Sequence, residues 1–252
     1  MKLPLACLIL FMGSVQAEPG CFDDWFCITT NDGSVNIQLQ HELPAVITVT
    51  SSALEPAEVT LSLTDTKSHK LGNISSPTEF WNTMRVNWTA GKLNAKHDNS
   101  VEYGYPLEQN NLNVVQGFNG EYSHQGASRY AIDFAAPIGT RVLAARGGKV
   151  IDLEESFDTG GPSKKYATYA NYVVILHDDG TTGEYYHLKH NGVLVKRGDI
   201  VEQGQTIAKS GNTGFSSLPH LHFGVYKALP HGKYQSVKFR FKQSHSKLNF
   251  RR

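Results

Sequence analysis

The sequence predicts an all-β protein of two β domains, on three observations. Short alternating or β-branched runs recur along the chain, as in VNIQLQ, AVITVTSS, AEVTLSLT, NYVVILH and HLHFGV. Turn signals such as NDG, HDDGTTG and RGDIVEQGQ separate them. Helical periodicity is weak throughout, and no internal repeat or low-complexity segment interrupts the pattern.

The N-terminus comes first. Met1-Lys2, the apolar run LPLACLILFMG and small residues at Val15 and Ala17 read as a secretory signal peptide over residues 1–17, cleaved after Ala17. Its removal leaves Cys21 and Cys27 in CFDDWFC, a pair that reads as a local disulfide in an exported chain. Export places the protein in the periplasm or outside the cell. No run of 18 apolar residues occurs, so no membrane span is expected in the mature chain.

Residues 18–100 are expected to form a small sandwich-like module. Its strands fall in 34–64, punctuated by Pro44 and Pro56, and FWNTMRVNWTAG continues the pattern. His41, His69 and His97 are scattered and read as structural or surface residues. A connector over 98–120 leads into a glycine-rich second domain, residues 101–228, with strand-like runs RYAIDFA, TRVLAARGGKVIDL, NYVVILH, EYYHL and HLHFGV. From Lys227 to Arg252 there are eight Lys/Arg and no Asp/Glu. Residues 229–252 therefore read as a solvated, partly disordered basic tail, with SVKFRFK alternating like an edge strand. Contact with an anionic polymer is the functional alternative for that tail. No nucleic-acid partner is expected; Gly211 and Gly214 in SGNTG read as turn residues, and a G-x-x-G without a following helix says little about nucleotides.

The chemistry lies in the second domain. Residues i and i+2 of a strand share a face, so His220 and His222 in PHLHFGV present two imidazoles side by side, with Leu221 and Phe223 turned to the core. Asp133 stands between Ile132 and Phe134 in a strand pattern, a costly place for a carboxylate without a partner or a cation. His124 precedes it in SHQGASRYAIDF, and His187 ends a short strand in GEYYHL. Two imidazoles and a carboxylate are a usual ligand set for catalytic zinc, and surplus histidines suit acid–base work. His177 reads as a turn residue, His190 as solvent-facing, and Asn171 as a partner for backbone groups. Tyr130, Tyr185 and Tyr186 read as strand packing or groove lining.

HQGASRYAIDF, YYHL and SGNTGFSSLPHLHF, in that order over residues 115–228, resemble the lysostaphin-like (LytM-type) zinc metalloendopeptidases, a family of peptidoglycan hydrolases. The resemblance implies an antiparallel β-sheet catalytic domain with a metal groove. It implies one zinc per chain, held by His124, Asp133 and His222, with His187 and His220 as catalytic residues beside the reacting water. It further implies peptide cross-links of peptidoglycan as substrate. Leu218 departs from the family, which usually has Gly before this Pro, and is expected to narrow the groove. Two other functions remain open: a catalytically silent wall-binding regulator of other hydrolases, and a secreted protease acting on glycine-rich proteins.

Overall fold

The computed structural model describes residues 20–108, 112–242 and 248–250. The segment read as a signal peptide, residues 1–17, lies outside them. The chain is mostly β. Its first part runs β1 Gly20–Phe22, β2 Phe26–Asn31, β3 Ser34–Leu39, β4 Ala45–Thr50, β5 Leu54–Glu55, β6 Glu58–Leu63, β7 His69–Ile74, helix α1 Pro77–Thr83 and β8 Arg85–Ala90. Then follow β9 Glu102–Tyr103, β10 Leu112–Gln116, β11 Ile132–Ala135, β12 Arg141–Leu143, β13 Gly148–Glu154, β14 Gly160–Gly161, β15 Tyr172–Leu176 and β16 Thr182–Tyr186. The last are β17 Leu188–Val193, β18 Ile200–Val201, β19 Thr206–Ser210, β20 Gly214–Phe215, β21 His220–Leu229, β22 Lys233–Ser236, β23 Arg240–Phe241 and β24 Leu248–Phe250.

Up to Ala90 the strands form a five-stranded sheet, β1-β2-β3-β7-β5, and a three-stranded sheet, β6-β4-β8. Cys21 and Cys27 face one another across β1 and β2 and are joined as a disulfide. The helix is a correction to the strand expectation for FWNTMRVNWTAG. Ser76 Oγ accepts from Glu79 N (3.2 Å) and Pro77 opens the first turn, so Phe80 and Trp81 are helical and only Arg85–Ala90 is a strand. The cue was the S-P-T-E of residues 76–79.

The rest is built on a nine-stranded sheet, β18-β13-β15-β16-β21-β11-β10-β24 with β22 beside β21. Side chains alternate across it. One face carries Val150, Val173, Ile175, Tyr185, Leu221 and Phe223 into a core closed by Val142, Ile207 and Ala208 of a smaller sheet, β12-β19-β17. The other face does two jobs. Val174 and Leu176 of β15, with Ile151, pack into the core of the first two sheets against such residues as Trp25, Phe26 and Phe80. A bulge between Val150 and Asp152 breaks the alternation, so that adjacent Ile151 and Asp152 share the Val174 face while Val150 enters the other core. Further along this same face, Asp133, His222, Tyr186 and Tyr172 are successive cross-strand neighbours on β11, β21, β16 and β15.

Two expectations change here. The connector over 98–120 contains β10, a full member of the main sheet. The basic tail, expected to be partly disordered, is built into the fold to Lys242: β22 pairs with β21, β23 pairs with β9, and Val237, Phe239 and Phe241 pack on the core. Its alternating SVKFRFK puts aromatic residues inward and Lys238, Arg240 and Lys242 elsewhere, which sets its order despite the charge. Residues 243–247 and 251–252 lie outside the described residues.

Since Ile151 is fully buried where the main sheet meets the first two, Ile151→Ala is expected to cost about 2–5 kcal/mol. Chemical denaturation should show that loss in one shared transition.

Candidate metal centre

The register of β11 against β21 sets Asp133 opposite His222. Two residues earlier on β21, His220 lies on the same face, opposite Ala135. His124 comes from the turn before β11 and is fully buried. His187 follows the last residue of β16 with φ +64, a left-handed conformation uncommon outside glycine that turns the chain sharply into β17. The structure brings all five sequence-selected residues together. Asp133, His187, His220 and His222 line one 170 Å³ cavity, and His124 touches Asp133 from behind.

Each imidazole has one ring nitrogen tied down and the other turned to the centre. His124 Nδ1 meets Gly117 O at 2.9 Å, His187 Nδ1 meets Thr213 O at 2.7 Å, and His220 Nδ1 meets Leu218 O at 2.7 Å. A carbonyl only accepts, so all three Nδ1 atoms carry the proton and Nε2 presents a lone pair. His222 meets Tyr226 Oη through Nε2 (3.0 Å), which leaves its Nδ1 for the centre. Gly224 permits this contact, because a Cβ there would lie 2.5 Å from the Tyr226 ring. Gly214, at φ +76 and packed on Ala170, shapes the turn that aims the Thr213 carbonyl at His187.

His124 Nε2 lies 3.0 Å from Asp133 Oδ1, His222 Nδ1 lies 2.8 Å from the same oxygen, and the two nitrogens are 3.3 Å apart. Ligands on a tetrahedral zinc-like ion, each about 2.0–2.2 Å from it, stand roughly 3.3–3.5 Å from one another. The donor set therefore fits a small divalent metal: the two nitrogens already stand at that separation, Asp133 Oδ1 lies closer to each, and all three ligand atoms fall within 4.8 Å of one another. Gln116 completes the arrangement. Its Nε2 donates to Asp133 Oδ2 (3.0 Å) and Ser123 Oγ (2.7 Å), while its Oε1 accepts from the backbone of Tyr122 and Ser123. That fixes which carboxylate oxygen faces the histidines.

Burial works to raise the pKa of Asp133, but hydrogen bonding to His124 and His222 holds it well below the usual carboxylate range. Burial, with the charges of His220 and His222, pushes His187 down to about 3. Burial also lowers His220, and Asp133 opposes that shift. Both are neutral near pH 7, with His187 and His220 ring centroids 4.6 Å apart.

The remaining histidines lie elsewhere. His190 is exposed. His177, expected at a turn surface, is instead 2% exposed, donating Nδ1 to Gly147 O against the Tyr103 ring. Asn171 bonds the backbone of Phe157 and Leu188. Tyr185 enters the core while its neighbour Tyr186 stays on the site face. Leu218 stands 41% exposed on the cavity wall, and Tyr122 stacks on Phe215 across the mouth (5.5 Å).

Residues 127–237 match the description Peptidase family M23. They make up fewer than half of the chain, and over them it is similar to that family. The match contains Asp133, His187, His220 and His222 and begins three residues after His124. Among curated proteins, the chain is 34% identical over 142 residues to peptidoglycan DD-endopeptidase ShyB of Vibrio cholerae, an alignment covering 54% of this chain and 30% of that protein. It is 36% identical over 133 residues to lysostaphin of Staphylococcus simulans, covering 51% of this chain and 23% of that protein. These alignments thus span less than a third of either relative. The solved structure of lysostaphin from S. simulans superposes with a TM-score of 0.37 at 30% identity, over 52% of this chain and 50% of that one.

Because Gln116 is not itself a ligand but orients Asp133 through Oδ2, Gln116→Leu is expected to weaken divalent-metal affinity about 10–100-fold. Competition against a chromogenic chelator measures this; His222→Ala should abolish stoichiometric binding in the same assay.

Proposed function

We propose that the chain is an exported zinc endopeptidase that hydrolyses peptide cross-links of bacterial peptidoglycan. The observation that carries this is the set of four imidazoles, each tied through one nitrogen, whose free nitrogens converge with Asp133 in one open groove. A structural metal site would be closed by a fourth protein ligand. Here the three-ligand cluster is flanked instead by two neutral histidines with unused lone pairs, which suits hydrolysis.

In this reading His124 Nε2, Asp133 Oδ1 and His222 Nδ1 hold zinc. The chemistry zinc supplies when bound is Lewis acidity, which polarises the scissile carbonyl and lowers the pKa of the attacking water. His187 and His220 do the rest through Nε2. One takes the proton of the attacking water, and the resulting imidazolium faces the developing oxyanion and returns the proton to the leaving amine nitrogen. Their hydrogen bonds to Thr213 O and Leu218 O keep Nδ1 protonated and so favour the base form of Nε2. Tyr122, Phe215 and Leu218 give the groove apolar walls against which a peptide can lie.

The substrate assignment is supported by the relatives, a peptidoglycan DD-endopeptidase and a glycyl-glycine endopeptidase among them. Export rests on the signal-like residues 1–17 and on the Cys21–Cys27 pair. We assign residues 20–100 as a flanking module and residues 101–242 as the peptidase unit. Among the described residues the metal-centre cavity is walled only by residues of 115–222, so the flanking module leaves it open.

Purified protein is expected to hold about one zinc per chain and to release soluble fragments from isolated peptidoglycan. His220→Ala should keep the zinc and lose release roughly 10²–10⁴-fold. Mass spectra of the fragments would name the bond, and a zinc-replete protein inert on peptidoglycan would overturn the substrate.

A further inference from the structure

Beside the metal centre the site face carries a second chamber. A cavity of 210 Å³ touches His187, His222 and Tyr226 and shares Glu184, Tyr186 and Tyr234 with a neighbouring cavity of 280 Å³. The larger one runs under β8 and is walled by Trp88, Tyr172, Tyr186 and Tyr234, with the carboxylates of Glu184 and Asp152 on its floor. The sheet register explains this placement. Gly224, Glu184, Val174 and Asp152 are successive cross-strand neighbours, one step along the same face from His222, Tyr186 and Tyr172.

Glu184 is the anomaly. It is 8% exposed, yet its carboxylate receives only two neutral hydroxyls, Thr182 Oγ1 and Tyr186 Oη, both at 2.9 Å. Among the described residues no Lys, Arg or His forms an ion pair with it. Asp152 likewise receives Tyr172 Oη (3.0 Å) and its neighbour's backbone N–H, while Arg197 is engaged by Asp24. Buried carboxylates are rarely left without a cation. Burial, with the charge of Asp152 nearby, pushes Glu184 up to about 7 against its two hydroxyl hydrogen bonds, so the group is poised between its two forms at neutral pH. An arriving cation would complete it.

The walls indicate which cation. Tyr172 and Tyr186 lie 5.3 Å apart, Tyr234 stands edge-on to Tyr226 at 5.5 Å, and Trp88 closes the far side. Aromatic faces attract organic ammonium groups. A hard metal ion would need six or so oxygens, and two carboxylates in an aromatic setting do not supply them. The location indicates where the ammonium belongs on a substrate. Glu184 belongs to the next cross-strand pair on this face after Tyr186–His222, two residues along β16 and so roughly 7 Å away. That is the reach of a side chain on the residue next to the cleaved amide.

We propose that this chamber is a specificity subsite for the protonated primary amine of a residue flanking the scissile bond, with Glu184 as its counter-ion. The proposal rests on the endopeptidase reading above and narrows its substrate to peptides that carry a free amine.

The test separates the two ideas by measuring binding apart from cleavage. Zinc-loaded full-length His220→Ala protein is titrated with acetyl-Ala-Lys-Ala amide and with its Nε-acetyl-lysine twin, following Trp fluorescence. The free amine is expected to bind about tenfold tighter. Adding Glu184→Gln should bring the two peptides within about twofold, and adding Tyr234→Leu, at a 43% exposed position, should reduce the preference about threefold without loss of fold. Equal or undetectable binding of the two peptides, or a preference that survives Glu184→Gln, overturns the subsite. Fragment release from peptidoglycan by protein with native His220 is scored separately. An amine preference without release would overturn the substrate reading and leave the subsite standing.

Discussion

The structure depends on one carboxylate in the wrong place for a carboxylate. Asp133 sits mid-strand between Ile132 and Phe134, 6% exposed, in a sheet whose opposite face packs the apolar core. Burying that charge is tolerable only because His124, His222 and Gln116 all reach it. Each of these partners is in turn held from behind, by Gly117 O, Tyr226 Oη and Ser123 Oγ respectively. The requirement thus spreads outwards from one residue, fixing a loop, a turn and a strand register before any substrate is considered.

The main sheet meets the requirement by dividing its labour. Period-two alternation sends Leu221, Phe223 and Tyr185 to one side and His220, His222 and Tyr186 to the other, so rigid packing and reactive groups share the same strands. His187 is the exception, since it stands just past a strand end in a left-handed conformation. Its imidazole is aimed by the Thr213 carbonyl, and that carbonyl is placed by the glycine that follows it.

Much of this was legible in the sequence, for identifiable reasons. A two-residue spacing of histidines in a strand declares a shared face, and an Asp among apolar strand residues declares a partner. Asp133, His220 and His222 were found that way, and His124 and His187 entered with the motifs whose order resembles a known family. The supporting shell was not legible. Backbone carbonyls of Gly117, Thr213 and Leu218 have no residue-type signature, and Gln116 fell in a stretch read as a connector because β10 is short and polar at its end. Glu184 was passed over because it lies three residues from His187 in a run that looked like ordinary strand packing. In the tail the alternation of Val237, Phe239 and Phe241 gave the edge strand, but its charge hid how much of the segment packs on the core. The short helix was masked by the aromatic residues within it, although its Ser-Pro start was visible.

The double use of the site face also limits how such a protein can be regulated. Val174, Leu176 and Ile151 bind the main sheet into the first core, while a few ångströms along the same face the strands carry the metal cluster. A hinged lid has to leave without exposing a core, and these residues forbid that for the flanking module. Motion that opens or closes the groove falls instead to the two rims carrying Tyr122 and Phe215, which meet through a ring stack. The flanking module is then a keel, stiffening the sheet while the gunwales move.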